Sequence, residues 1–99
     1  MTHVEKSRIA ADHPCLPGHF PGRPVVPAVV MLEEVERALR GAVAREVRIV
    51  ALPSVKFLRP LDPGVEFEVV LDVQPETMTA SFRCVAGGQD LAAGRLVYA

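Results

Sequence analysis

Two side chains fourteen positions apart, His19 and Glu33, are the ones in this 99-residue chain best suited to moving protons. His19 lies in Pro17-Gly18-His19-Phe20-Pro21-Gly22, where prolines restrict the backbone and glycines allow close approach. Imidazole gains and loses a proton near neutral pH, so such a setting suits a general base. Glu33 is flanked by Val29, Val30 and Arg37 on what a helical reading makes a second apolar side. There the charged form of a carboxyl is disfavoured, which suits a general acid. The residue types leave plainer roles open: a structural loop histidine, and a surface i,i+4 pair between Glu33 and Arg37. Glu36 and Arg40 repeat that spacing, and Glu34 and Glu36 read as ordinary surface positions. His3 reads as a solvated residue near the terminus, and His13, before a proline, as a turn residue.

The elements that must position this pair follow from proline, glycine and apolar periodicity. Residues 14–27 hold five prolines and two glycines among Leu, Phe and Val, which predicts a stiff, irregular loop held against a core. Pro27 suits the start of a helix, and helix formers run from Ala28 to Val43 except at Gly41. At 100° per residue, Ala28, Met31, Leu32, Val35, Ala38, Leu39 and Ala42 form one apolar stripe, with Glu33 nearly opposite its centre. The first turn is apolar nearly all round, so it is expected to be covered from two directions. Strand patterns follow over 47–58, 65–73, 77–86 and 90–98, with an imperfect one earlier at 4–11. Pro53 predicts an edge, bulge or bend in the first of these, and Asp62-Pro63-Gly64, Pro75-Glu76 and Gly87-Gly88 predict turns and antiparallel hairpins. One long helix followed by a meander is an α+β fold, expected to form a single domain over residues 1–99.

Composition removes several functions. An apolar fraction of 49% excludes a disordered tail, although aromatics make up only 5% and the core must be aliphatic. Eleven basic against twelve acidic residues give a formal charge of -1 with no like-charge run, which does not supply the basic surface that nucleic acid requires. No apolar stretch approaches the ~20 residues of a membrane span, and the first residues do not read as a secretory signal. Cys15 and Cys84 have no CxxC partner or neighbouring ligand histidine, so no metal site is expected and both thiols fit a reducing cytoplasm.

The stretch HPCLPGHFPGRPVVPAVVMLEEV, residues 13–35, resembles the signature of β-hydroxyacyl-acyl-carrier-protein dehydratases of the hotdog fold. That signature joins the loop GHFPGxPxxPGV to an acidic residue on the next helix, with the spacing of His19 and Glu33. KFLRPLDPG, residues 56–64, is similar to the family's strand and turn leading into the meander, and the resemblance extends over residues 8–99. It implies a long central helix wrapped by a curved antiparallel sheet, and protomers paired edge to edge with each active site at the interface. The catalytic pair carried over is His19 as base and Glu33 as acid, with the backbone N–H of Ala28 facing the thioester carbonyl. Phe20, Gly22, Val29 and Val30 would bind substrate around it.

The implied reaction is dehydration of a 3-hydroxyacyl thioester on acyl carrier protein to the trans-2-enoyl thioester, a lyase step of fatty-acid or polyene-type biosynthesis. No metal or organic cofactor is required. The implied partners are a carrier bearing phosphopantetheine and a second hotdog chain, identical or related. Arg23, Lys56 and Arg59 could attract an acidic carrier, or be plain solvated surface. Ala28 stands where the family has glycine and Arg37 where many members have glutamine. Short chains of this kind resemble dehydratases of aryl polyene and xanthomonadin-type pigment synthesis. Two other readings compete: a hotdog thioesterase, and a non-catalytic subunit completing a heterodimeric dehydratase.

Overall fold

The computed structural model describes residues 1–10, 12 and 25–99. Its elements are β1 (Thr2–Arg8), α1 (Ala28–Val43), β2 (Ile49–Phe57), β3 (Glu66–Gln74), β4 (Thr79–Ala86) and β5 (Gln89–Tyr98). His13, Cys15, His19, Phe20, Gly22 and Arg23 lie outside the described residues.

The strands form one sheet in the order β1-β3-β4-β5-β2, antiparallel throughout. Gly87 and Gly88 join β4 to β5 with φ of 56° and 75°, the left-handed pair a two-residue hairpin demands. Along β3 the alternation of Phe67, Val69, Leu71 and Val73 with exposed or half-buried neighbours puts one face against the helix. Ala80, Phe82 and Cys84 of β4 and Ala92, Leu96 and Tyr98 of β5 continue that buried face.

The helix packs on β3 and β1, burying Val30, Met31, Val35, Ala38 and Leu39. The burial is centred close to the predicted stripe, but Ala28 is exposed and Val30 joins the core instead. The helix ends at Ala44, whose N–H donates to the Arg40 carbonyl at 2.9 Å and whose φ of 58° is left-handed.

Two expectations need correction. The first strand spans Thr2–Arg8 rather than 4–11, because its helix-facing positions are the polar His3, Glu5 and Ser7, an alternation that hydropathy does not show. His3 is therefore a half-buried strand residue rather than a solvated one, with Nε2 buried against the helix beside Gly41. In β2, by contrast, Pro53 does what its chemistry predicts. The strand is at an edge, and its register against β5 shifts between Ile49 and Ala51 and again between Ala51 and Ser54.

Candidate active site

Three segments meet at the start of the helix. The Val26 N–H donates to the Leu61 carbonyl at 2.9 Å, tying the chain just before α1 to the segment just after β2. The N–H groups of Leu58 and Arg59 both donate to the Leu91 carbonyl, at 2.8 and 3.2 Å, which fixes that segment on β5. Between them opens a cleft of about 250 Å³ walled by Val26, Ala28, Met31, Phe57, Leu58 and Leu61, with Arg59 also on its wall. Met31 lies three residues after Ala28 and so shares its helix face.

The cleft meets the helix at its positive end. Pro27 takes the N-cap with extended φ and ψ of -63° and 151°, and among the described residues no side chain caps the first turn. Amide N–H groups at a helix start without a side-chain acceptor are suited to stabilise a negative oxygen. Ala28, expected to present such an N–H, is exposed on this wall. Its neighbours diverge: Val29 is 58% exposed, whereas Val30 packs in the core at 1%.

Glu33 is exposed one turn beyond Val29, and among the described residues no ion pair involves it. The surface pair with Arg37 is not the one formed. Arg37 turns to Glu34, donating to Oε1 from Nη2 at 2.7 Å and from Nε at 3.2 Å. The Ser7 hydroxyl on β1 donates to the same oxygen, and Arg37 Nη2 also lies 3.4 Å from Ser7 Oγ. The hydrogen bond and the charge of Glu34 raise the Arg37 pKa above its ordinary value. Nor are Glu34 and Glu36 ordinary surface residues. The Glu34 side chain is 19% exposed and closes onto β1. Glu36 accepts from Arg40 at 2.7 Å and from the Ile49 N–H at 2.9 Å, while Arg40 Nε donates to the Val47 carbonyl. The helix thereby holds the first residue of the edge strand. Sequence reasoning missed both roles because the partners lie 27 and 13 positions away.

The edge strand leaves apolar surface unmatched. Val55 belongs to the inward-facing row of Gly94, Phe82 and Leu71, and Phe57 to the row of Ala92, Cys84 and Val69. In those rows Phe82, Leu71, Ala92, Cys84 and Val69 are buried and Gly94 is half-buried, yet Val55 and Phe57 are 36% and 48% exposed, since the helix packs chiefly on β3 and β1. Lys56 points outward opposite Ala93. No group of metal-ligating side chains occurs among the described residues, and none of their helices is long and apolar enough to cross a membrane.

One helix against a five-stranded antiparallel sheet in this order is the hotdog fold. The solved dehydratase heterocomplex ApeI:P from Xenorhabdus doucetiae superposes with a TM-score of 0.86, covering 98% of this chain and 86% of that one at 21% identity. The profile of the ApeI-like family, described as ApeI dehydratase, matches residues 2–95, and the chain belongs to that family. Among curated relatives, the 3-hydroxyacyl-[acyl-carrier-protein] dehydratase FabZ of Rickettsia massiliae is 34% identical over 76 residues, 67% of this chain and 52% of that protein. FabZ of Rhizobium rhizogenes is 32% identical over 87 residues, 79% of this chain and 55% of the relative. The chain thus spans about half the length of these curated relatives.

Proposed function

We propose that this chain dehydrates 3-hydroxyacyl thioesters carried on acyl carrier protein, giving the trans-2-enoyl thioester and water. The observation that carries the reading is the apolar cleft opening beside the start of α1, where Pro27 offers no side-chain acceptor, in a member of a dehydratase family. A thioester carbonyl at the Ala28 amide would have its enolate-like oxygen stabilised by that N–H and the helix dipole. His19 takes the C2 proton, the C2–H electrons form the C2=C3 bond, and the C3–O bond breaks. Glu33 gives its proton to the departing hydroxyl, which leaves as water. Phe20, Gly22, Val29 and Val30 belong to the proposed substrate-binding region, with Val30 acting from the core behind it.

The exposed Val55 and Phe57 support pairing of β2 with a second hotdog chain, which would also cover Val29 and Glu33. Self-pairing and pairing with a related chain both fit, the latter on the analogy of the ApeI:P heterocomplex. The family also supports a place in polyene-type or fatty-acid biosynthesis, and the free, buried Cys84 suits a reducing cytoplasm.

The test is incubation of the purified chain with a 3-hydroxyacyl carrier substrate, read by mass spectrometry of the carrier. Loss of one water from the carrier-bound acyl group is expected. Release of free acid would assign a thioesterase, and an unchanged carrier would assign a non-catalytic subunit.

A further inference from the structure

The helix gives Arg37 a choice of two carboxylates. At 100° per residue its side chain leaves the helix about 40° from Glu33 and about 60° from Glu34, so either pair is within ordinary i,i+4 or i,i+3 reach. Arg37 takes Glu34, with two donors on one oxygen, and the reason lies on another element. Ser7, a buried residue of β1, donates its hydroxyl to that same oxygen and fixes the carboxylate where Arg37 meets it. We propose that Glu34, which accepts from Ser7, is a positioning residue that holds Arg37 off Glu33, the proposed acid for the departing C3 hydroxyl.

The inference deepens the reading of Glu33 as the general acid and rests on it. A guanidinium beside a carboxyl favours the ionised form, and an acid already ionised has no proton to donate. Among the described residues, two other carboxylates lie near Arg37 on these elements. Glu36 is engaged by Arg40 and the Ile49 N–H, and Glu5 of β1 faces Arg37 and favours its charge. Glu33 is exposed in the single chain, so a pairing with Arg37 would be weak there and stronger once a second chain covers the site.

The experiment compares pH–rate profiles of the active assembly for wild type, Glu33→Gln, Glu34→Gln, Arg37→Gln and the double variant Glu34→Gln/Arg37→Gln. Glutamine at 34 keeps an acceptor for Ser7 and removes the charge that holds Arg37. A group that must be protonated gives a limb on which activity falls as pH rises, and pairing with Arg37 moves that limb to lower pH. In Glu34→Gln it should move down by about one unit, with turnover on the limb about tenfold lower. Arg37→Gln should leave the limb at its wild-type position, and the double variant should return it there. A merely structural role for Glu34 would make the double variant no better than the single one.

A wild-type limb in Glu34→Gln, or no recovery in the double variant, overturns the inference. If Glu34→Gln does not fold, Arg37→Gln decides alone: a limb raised by a unit would mean that Arg37 already acts on Glu33. Persistence of the limb in Glu33→Gln overturns the acid assignment itself, and the inference with it, which separates the two failures.

Discussion

Gly94 faces Val55 across the β2–β5 ladder, and a Cβ at Gly94 would overlap the Ser54 carbonyl oxygen and stand 3.0 Å from both Val55 Cα and Phe82 Cζ. The bare Cα is what lets the edge strand close over β5 just after its second register shift. Ser54 O and Val55 Cα are backbone, so an added methyl must displace β2 itself. Gly94→Ala should therefore destabilise the protein by roughly 1–3 kcal/mol, the usual range for overpacking a tight site. The same displacement moves the strand that carries Val55 and Phe57, so a lower melting temperature should be accompanied, if β2 pairs with a second copy as proposed, by weaker self-association in sedimentation velocity. An unshifted melt would mean that β2 yields without strain.

At the far end of the helix the strain runs the other way. Ala44 holds a left-handed φ of 58° at the helix C-terminus, where glycine carries no Cβ penalty. Ala44→Gly removes that penalty and adds some unfolded-chain entropy, for a net gain of about 0.5–1 kcal/mol. Thermal melting should rise by a few degrees, since ~1 kcal/mol corresponds to about 4–8 °C in a domain of this size. No change in the pH–rate profile is expected, because Ala44 is remote from the helix start.

Cys84 offers a check on the core. It is fully buried on β4 between Phe82 and the β3 and β5 ladders, and burial pushes its thiol up to about 12 from 9.0. The native state then holds the proton while the unfolded chain releases it as pH rises above 9.0. The sign is fixed by this: the unfolded state binds fewer protons in that window, so the thiol contributes a loss of stability as pH rises from 9.0 towards about 12. Urea melts of wild type and Cys84→Ala over this range should show a steeper alkaline decline in the wild type. Parallel declines would mean that Cys84 ionises equally in both states.

The helix was legible because three local signals agree over Ala28–Val43: Pro27 before it, helix formers through it, and one apolar stripe along it. The meander was legible for a similar reason, since Gly87-Gly88 and Pro75-Glu76 separate runs of strong alternation. The first strand begins two residues before its hydrophobic pattern because the helix meets His3, Glu5 and Ser7 there, polar groups that such a pattern cannot flag. The choice of Arg37 between two glutamates was equally hidden. Both spacings are favourable on a bare helix, and the carboxylate chosen is the one that also accepts from a serine on another element. Residues 13–24, which carry the loop of the resemblance, lie outside the described residues, and the pairing of His19 with Glu33 is a proposal drawn from the sequence resemblance.

Subunit mixing tests the pairing of His19 with Glu33 directly. Glu33 and Val29 stand exposed on α1, and the inward-facing Val55 and Phe57 are left bare at the sheet edge. In the proposed pairing, a second chain along β2 covers both sets. If the base and the acid come from different chains, His19→Ala and Glu33→Gln proteins, each inactive alone, should complement after mixing and subunit exchange. In a self-paired dimer each mixed molecule holds one site with both groups intact and one with neither. With random exchange half the molecules are mixed, so activity should recover to roughly a quarter of the wild-type sites. Native mass spectrometry verifies the exchange. No recovery with exchange complete would place both groups in one chain's site, or assign the second place in the assembly to a different hotdog chain, and co-expression with such a chain would then separate these two outcomes.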